Sequence, residues 1–221
     1  MTAQDRSATS SSQPRRGVLI AFEGGDGAGK STQIARLTRW LAAHGREFVV
    51  TREPGGTELG ERVREVLLHG GAVSARAEAL LFAADRAHHV DTVIRPALEA
   101  GQDVITDRFM DSSIAYQGAG RALGADEVKD LSLWATGGLL PDLTVLLDVA
   151  VDVGAARRTG HPDRLEAEVG GFHERVRAHF LALAQAEPAR YLVVDASLPS
   201  AQIGQVIADR LVATGWFGSG T

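Results

Sequence analysis

Residues 24–31 read Gly-Gly-Asp-Gly-Ala-Gly-Lys-Ser and follow an apolar run at 18–22. A glycine, four residues, then Gly-Lys-Ser, placed where a strand hands over to a helix, restricts the chain to folds that aim such a loop at one point. The glycines let successive N–H groups turn inward around phosphate oxygens, and a helix starting near Lys30 directs its positive end at the same anion. Gly24, Gly25, Asp26, Gly27, Ala28, Gly29, Lys30 and Ser31 therefore read as a nucleoside triphosphate cradle, with Lys30 on the β- and γ-phosphates and Ser31 on Mg²⁺. A ligand-free glycine turn would not put Lys and Ser in register after the last glycine.

Five apolar runs, 18–22, 47–51, 103–106, 143–149 and 191–194, alternate with helical patterns. That alternation predicts an α/β fold with a five-stranded parallel sheet flanked by helices on both faces. The helix after the loop puts Ile34, Leu37 and Leu41 on one face and stops before Gly45, and Leu59, Val63, Val66 and Leu67 mark a second. Further helices are expected over 75–94, 125–134, 165–186 and 200–214, with Pro96, Pro141, Pro162, Pro188 and Pro199 near their edges. With 221 residues, 44% hydrophobic, the chain suits one domain over 17–221 with a small lid. Residues 1–16, rich in Ser, Thr, Gln and Ala, read as a disordered tail without a signal or anchor run. No stretch reaches the roughly eighteen apolar residues of a membrane span. A net charge of −5 argues against a broad nucleic-acid surface. The lack of cysteine excludes disulfides and thiolate metal sites, and fits a reducing, cytoplasmic setting.

Ligands in such sheets bind beyond the carboxyl ends of the strands, and those ends carry charge. Asp107 closes the third strand where a Mg²⁺-holding carboxylate belongs; Asp148 competes for the role, but helix capping explains it more easily. Arg52 and Arg108 stand at neighbouring ends and suit bidentate phosphate recognition, while the turn Glu53-Pro54-Gly55-Gly56 lets backbone approach the same anion. Phe82 and Arg86 are four apart on one helix, so they share a face. Periodicity alone makes Phe82 a core residue. Arg157, Arg158, His161 and Arg164, around Thr159-Gly160 and Pro162, suit a short lid at about 151–164 that closes over a transferring phosphoryl group.

Taken together, the segments 22–32, 51–57, 107–109, 112–118 and 141–143 resemble the thymidylate kinases, P-loop nucleoside monophosphate kinases, over residues 17–214. The resemblance implies transfer of the γ-phosphoryl group of ATP to dTMP, a homodimer, and a loop site extending to Thr32. It makes Asp26 the contact to the sugar 3′-hydroxyl, and gives the acceptor phosphate to Arg52 and Arg108 beside Glu53 and Pro54. Phe82 would stack on thymine and Arg86 hydrogen-bond it, with Ser112, Ser113 and Gln117 nearby and Tyr116 crowding out a ribose 2′-hydroxyl. The family supplies its catalytic arginine either from the phosphate loop or from the lid. Gly27 holds the loop position here, as in the bacterial branch, so the arginine is expected among Arg157, Arg158 and Arg164. Another nucleotide or deoxynucleoside kinase would share the loop but not the contexts at 52–56 and 112–118. A GTPase-type switch would need an Asn-Lys-x-Asp element, and the only lysines are Lys30 and Lys129. A nucleic-acid-dependent ATPase is disfavoured by the acidic balance.

Overall fold

A computed structural model describes residues 16–121, 123–158, 162–168 and 171–216. The expected tail lies outside the described residues apart from Arg16, whose guanidinium meets Asp142 at 3.2 Å. Strands β1 (Leu19–Glu23), β2 (Phe48–Arg52), β3 (Asp103–Asp107), β4 (Leu143–Asp148) and β5 (Tyr191–Asp195) form one parallel sheet in the order β2-β3-β1-β4-β5. β1 has a strand on each side and every residue of it is buried, which is why it reads as an unbroken apolar run. β2 is an edge strand and is only half covered. The register aligns Phe22 with Asp107 and Asp107 with Arg52, so the phosphate loop, Asp107-Arg108 and the turn after Arg52 leave the sheet at one level.

Alternate side chains of β1 serve opposite faces. Val18, Ile20 and Phe22 pack with Ile34, Leu37 and Leu41 of α1 (Lys30–Ala43) and Ile203, Ile207 and Leu211 of α9 (Ser200–Ala213). Truncating one of these, such as Leu41, costs about 2–5 kcal/mol. Leu19 and Ala21 meet Val90, Ile94 and Leu98 on the other face, where α3 (Ala75–His89) runs on into α4 (Arg95–Glu99). The remaining helices are α2 (Glu58–Arg64), α5 (Met110–Ser113), α6 (Ala125–Thr136), α7 (Val151–Arg157) and α8 (Phe172–Ala186).

The five parallel strands and two helical layers agree with the sequence reading, but three helices widen into π-turns that periodicity did not foresee. These are Glu65–His69 after α2, Val90–Ile94 after α3 and Ile114–Gly120 after α5. The first shifts the inward face by a residue, so Leu67 and Leu68 are buried while Val66 is exposed; upstream of it Val63 is buried and Leu59 is exposed. The second precedes Pro96, which has no N–H to give to the turn before it. The helix expected to begin at 165 begins instead at Phe172, after a left-handed Gly171. Upstream, the Asp163 carboxylate accepts the N–H groups of Leu165 and Glu166 at 2.8 and 2.9 Å and holds that stretch in a turn.

Candidate active site

The carboxyl ends of β1, β2 and β3 open into a cleft of about 640 Å³. Its floor is the phosphate loop. Gly29 takes a left-handed φ of 92°, and no side chain caps the helix that starts at Lys30, so the first N–H groups of α1 face the cleft as anion donors. The buried Lys30 Nζ spans the carbonyls of Gly24 and Gly25, 3.3 Å from each. Burial, and next the charge of Arg108, lower its pKa against the pull of Asp107, Asp26 and Glu23.

Arg108 ties this floor to the side wall. It holds a left-handed φ of 68°, unusual for a residue with a Cβ and worth about 1–3 kcal/mol of strain. Its Nη1 donates to Gly24 O at 3.1 Å and Ser112 Oγ at 3.0 Å; its Nη2 donates to Asp26 Oδ1 and, at 3.3 Å, to the Tyr116 hydroxyl. The triangle closes through Tyr116, whose hydroxyl donates to Asp26 Oδ2 at 3.2 Å while its ring lies under the guanidinium. Burial by itself would raise the Asp26 pKa, but Arg108, Lys30 and the Tyr116 bond outweigh it and hold the carboxyl at about 2. Burial pushes the Tyr116 phenol up, which keeps it a donor. Beneath the triangle, Glu23 accepts the N–H groups of Phe109 and Ser112 and the Ser112 hydroxyl. Burial and the nearby Asp111 raise Glu23 to about 7.

Asp107 lines the cleft, and its Oδ1 is buried without a hydrogen-bond partner. An orphaned carboxylate oxygen in the cleft that Ser31 also lines is a donor set that fits a hard divalent cation. Among the described residues no group of three His, Cys, Asp or Glu could hold a metal alone, so phosphate oxygens would have to complete the shell. Asp148 is not available for that role, because Arg177 grips both its oxygens at 2.6 and 2.8 Å. The last strand-end acid, Asp195, caps its own turn at Ser197 in solvent.

The far end of the cleft is lined by Phe82, Arg86, Phe109, Ser113, Tyr116 and Gln117. Arg86 is fully buried. Its Nε donates to Glu53 Oε2 at 2.7 Å, Nη1 to Ser132 Oγ at 3.3 Å, and Nη2 to Phe109 O at 3.2 Å and Ser113 Oγ at 3.1 Å. Of the five N–H groups of a guanidinium, one on Nη1 is left without an acceptor among the described residues. Glu53 lines the wall, but its other oxygen is 3.0 Å from His89 Nδ1. Arg52 sits at the rim, half exposed and paired with Glu61 at 2.8 Å.

A model of one protein family, thymidylate kinase, matches residues 22–207. The chain belongs to the thymidylate kinase family. A protein of Clavibacter sepedonicus named thymidylate kinase is 61% identical over 209 residues, 90% of this chain and 98% of its own length. One of Leifsonia xyli is 61% identical over 202 residues, 89% and 95% of the two chains, and one of Cutibacterium acnes 53% over 197 residues, 88% and 96%. The function is thus that of a thymidylate kinase, an ATP-dependent phosphotransferase.

The structure separates the three arginines that the sequence of this thymidylate kinase leads one to expect in a lid. Arg157, at the end of α7, lines the main cleft and donates to Ala196 O at 2.8 Å. Arg158 turns into a smaller groove between α7 and α8 and donates to Glu166 O at 3.3 Å. Arg164 is docked away from the loop: Nε reaches Leu67 O at 2.7 Å and Nη1 reaches Glu78 Oε2 at 2.7 Å. His161 lies outside the described residues. Just past the bounds expected for the lid, Leu165 is buried in a cluster with Val63, Leu67, Leu68 and Phe82. Phe82 therefore packs like a core residue on one side and faces the cleft on the other.

Helix α7 rests on the loop through bare backbone. A Cβ on Gly27 would stand 2.1 Å from the Gly154 carbonyl oxygen, and one on Gly154 would stand 2.7 Å from that of Asp26. Sequence reasoning missed Arg64, which lines the cleft and donates to Pro54 O at 3.0 Å, as well as Glu78 and Arg121. Arg64 carried a usable signal, since it lies three residues before Leu67, one of the apolar positions that marked the second expected helix, and so falls near that helix's inward face.

Proposed function

We propose that the protein carries out in-line transfer of the γ-phosphoryl group of ATP to dTMP in the cleft above the phosphate loop. An oxygen of the dTMP 5′-phosphate bonds to the γ-phosphorus as its bond to the β–γ bridging oxygen breaks, giving dTDP and ADP without a covalent enzyme intermediate. The Asp26–Arg108–Tyr116 triangle carries this reading, because it fastens the triphosphate loop to the wall of an acceptor pocket at hydrogen-bond distance.

Lys30 and the N–H groups of residues 24–32 hold the donor phosphates and neutralise the charge that leaves with ADP. Arg108 and Arg52, beside Glu53 and Pro54, hold the acceptor phosphate. Asp26, ionised at any physiological pH, accepts the sugar 3′-hydroxyl, and the Tyr116 ring fills the space a ribose 2′-hydroxyl would need. Phe82 stacks on the base, which Arg86, Ser113 and Gln117 border. Among the lid arginines, Arg157 is the one we assign to the transferring group, on the ground that it shares the cleft with Lys30. Positioning and charge neutralisation supply most of the acceleration. Mg²⁺ would be held by Ser31 and Asp107 and, when bound, would draw negative charge off the phosphate oxygens.

The working form we propose is a cytoplasmic homodimer. Trp134 on α6 and Leu80 on the adjacent α3 are 81% and 59% exposed, the kind of surface a second copy would cover. Light scattering should give twice the chain mass, and Trp134→Glu should shift it to one. Among the described residues no helix is long and apolar enough to cross a membrane.

Substrate choice is tested by ADP release with ATP·Mg²⁺ and, separately, dTMP, dUMP, dCMP, AMP and GMP. dTMP should be clearly the best acceptor; a purine nucleotide or dCMP in first place would overturn the assignment.

A further inference from the structure

One buried charged residue borders the acceptor pocket without entering it. Glu78 lies one helical turn before Phe82 on α3 and is wholly inaccessible to solvent. Its Oε1 accepts from Gln117 Nε2 at 3.0 Å and Arg121 Nε at 3.2 Å, and its Oε2 from Arg121 Nη2 at 3.2 Å and Arg164 Nη1 at 2.7 Å. Burial alone would raise its pKa, but the hydrogen bonds from Arg121, Gln117 and Arg164 prevail and hold the carboxyl below the usual range. Glu78 is therefore a carboxylate with nothing to donate.

That fact decides the orientation of a neighbouring amide. The two ends of a Gln side chain differ only in one giving and the other taking hydrogen bonds. An acceptor-only neighbour at 3.0 Å must face the nitrogen, which turns the oxygen away. Gln117 lines the cleft, and its amide oxygen takes no hydrogen bond from the described residues. Arg86, on the same wall, can only donate and has one N–H without an acceptor among the described residues.

We propose that Glu78 is a positioning residue for base selection: it locks the Gln117 amide with its oxygen toward the base, so that the pocket pairs one donor and one acceptor against the pyrimidine edge. Thymine and uracil offer an O4 acceptor beside an N3–H donor and satisfy both. Cytosine offers an amino group and a bare N3, and sets donor against donor and acceptor against acceptor. Buried mispairs of this kind reduce affinity by about 5- to 150-fold. The inference rests on the reading that Phe82, Arg86 and Gln117 receive the base.

The test is the ratio of kcat/KM for dTMP to that for dCMP, measured by ADP release in the wild type, Glu78→Gln, Glu78→Asp and Gln117→Leu. A glutamine at 78 can present either end, so Gln117 is free to turn, and the ratio should fall by about tenfold or more. Glu78→Asp keeps an acceptor-only partner and should hold the ratio closer to wild type. If Glu78→Gln slows both substrates alike and leaves the ratio unchanged, Glu78 is only structural and the proposal is wrong. Gln117→Leu separates the two levels of the argument: an unchanged ratio there removes Gln117 from the base and the underlying reading with it. A collapsed ratio there, with an unchanged one in Glu78→Gln, overturns the role of Glu78 alone. A measurement on the wild type needs no variant to fold. The side-chain NH₂ of Gln117, followed by NMR, should exchange slowly with solvent before any nucleotide is added. Exchange that slows only on adding dTMP would put the nitrogen on the base and overturn the proposal.

Discussion

Two arginines that face one cleft are held in opposite ways. Arg86 is wholly buried and gives four hydrogen bonds to fixed groups on α3's surroundings, among them Glu53, Ser113 and Ser132. Arg157 ends a helix of seven residues and, among the described residues, gives a single bond, to the backbone at Ala196. On the proposed reading, the wall that receives the acceptor is held by bonds of the fold itself, so its ordering entropy is met during folding rather than during binding. Arg157, a long side chain with one described tether, suits the role proposed for it, a cation that follows charge as it moves. Discrimination and acceleration are assigned to different mechanical regimes of one pocket.

Substitutions on the transfer side should move kcat, and those on the acceptor side should move selectivity or stability. Lys30→Ala should have the largest effect, lowering kcat by about 10³-fold while melting stays near wild type; undiminished turnover would take Lys30 out of the mechanism. Arg157→Ala should lower kcat by about 10²-fold with little change in KM for dTMP. Arg158→Ala and Arg164→Ala should not match it, and three equal, small effects in single-turnover assays would break the contrast between the arginine that lines the main cleft and the two that are turned away from it.

Asp85 gives a smaller effect, confined to stability. It faces Glu53, Arg86, His89 and the Gly55 N–H, its Oδ2 has no partner, and burial together with the Glu53 charge raises its pKa to about 7. The folded chain therefore retains a proton between about pH 4 and 7 that the unfolded chain has released, and stability falls as pH rises through that window by at most about 1.4 kcal/mol per unit. Asp85→Asn removes the titration, so its melting temperature relative to wild type should climb from pH 5 to pH 8. Parallel pH slopes in thermal melts would show that Asp85 does not hold that proton. The least effect is expected on the surface of α2, where Arg62 and Glu58 pair at 2.5 Å in open solvent. Arg62→Ala should cost less than about 0.5 kcal/mol by denaturant unfolding.

The parts of the site legible in sequence are those where backbone chemistry restricts residue type. Only a glycine-rich turn with Lys and Ser in register makes the loop, and continuous apolar runs follow from a central strand covered on both faces. The π-turns were invisible, because one added residue in a helix leaves composition unchanged while it rotates the inward face, as at Val66 and Leu67. Glu78 was invisible for another reason. A Glu in the first turn of a helix reads as a solvated or dipole-favoured acid, and Arg121, 43 residues away, closes on it only in the folded chain. Arg164 was expected as a lid arginine, and its anchorage on Leu67 and Glu78 was not legible.

The Gly27–Gly154 contact bears on how such an enzyme can change. Loop and lid helix touch through atoms with no side chain to trim, so the two positions are epistatic. An arginine introduced at Gly27 collides with α7 until that helix has been displaced, and a displaced α7 no longer carries Arg157 to the cleft. With Arg157 in the role proposed for it, a mutational path that relocates the charge to the loop must therefore displace α7 first and cross an intermediate with neither arginine in place.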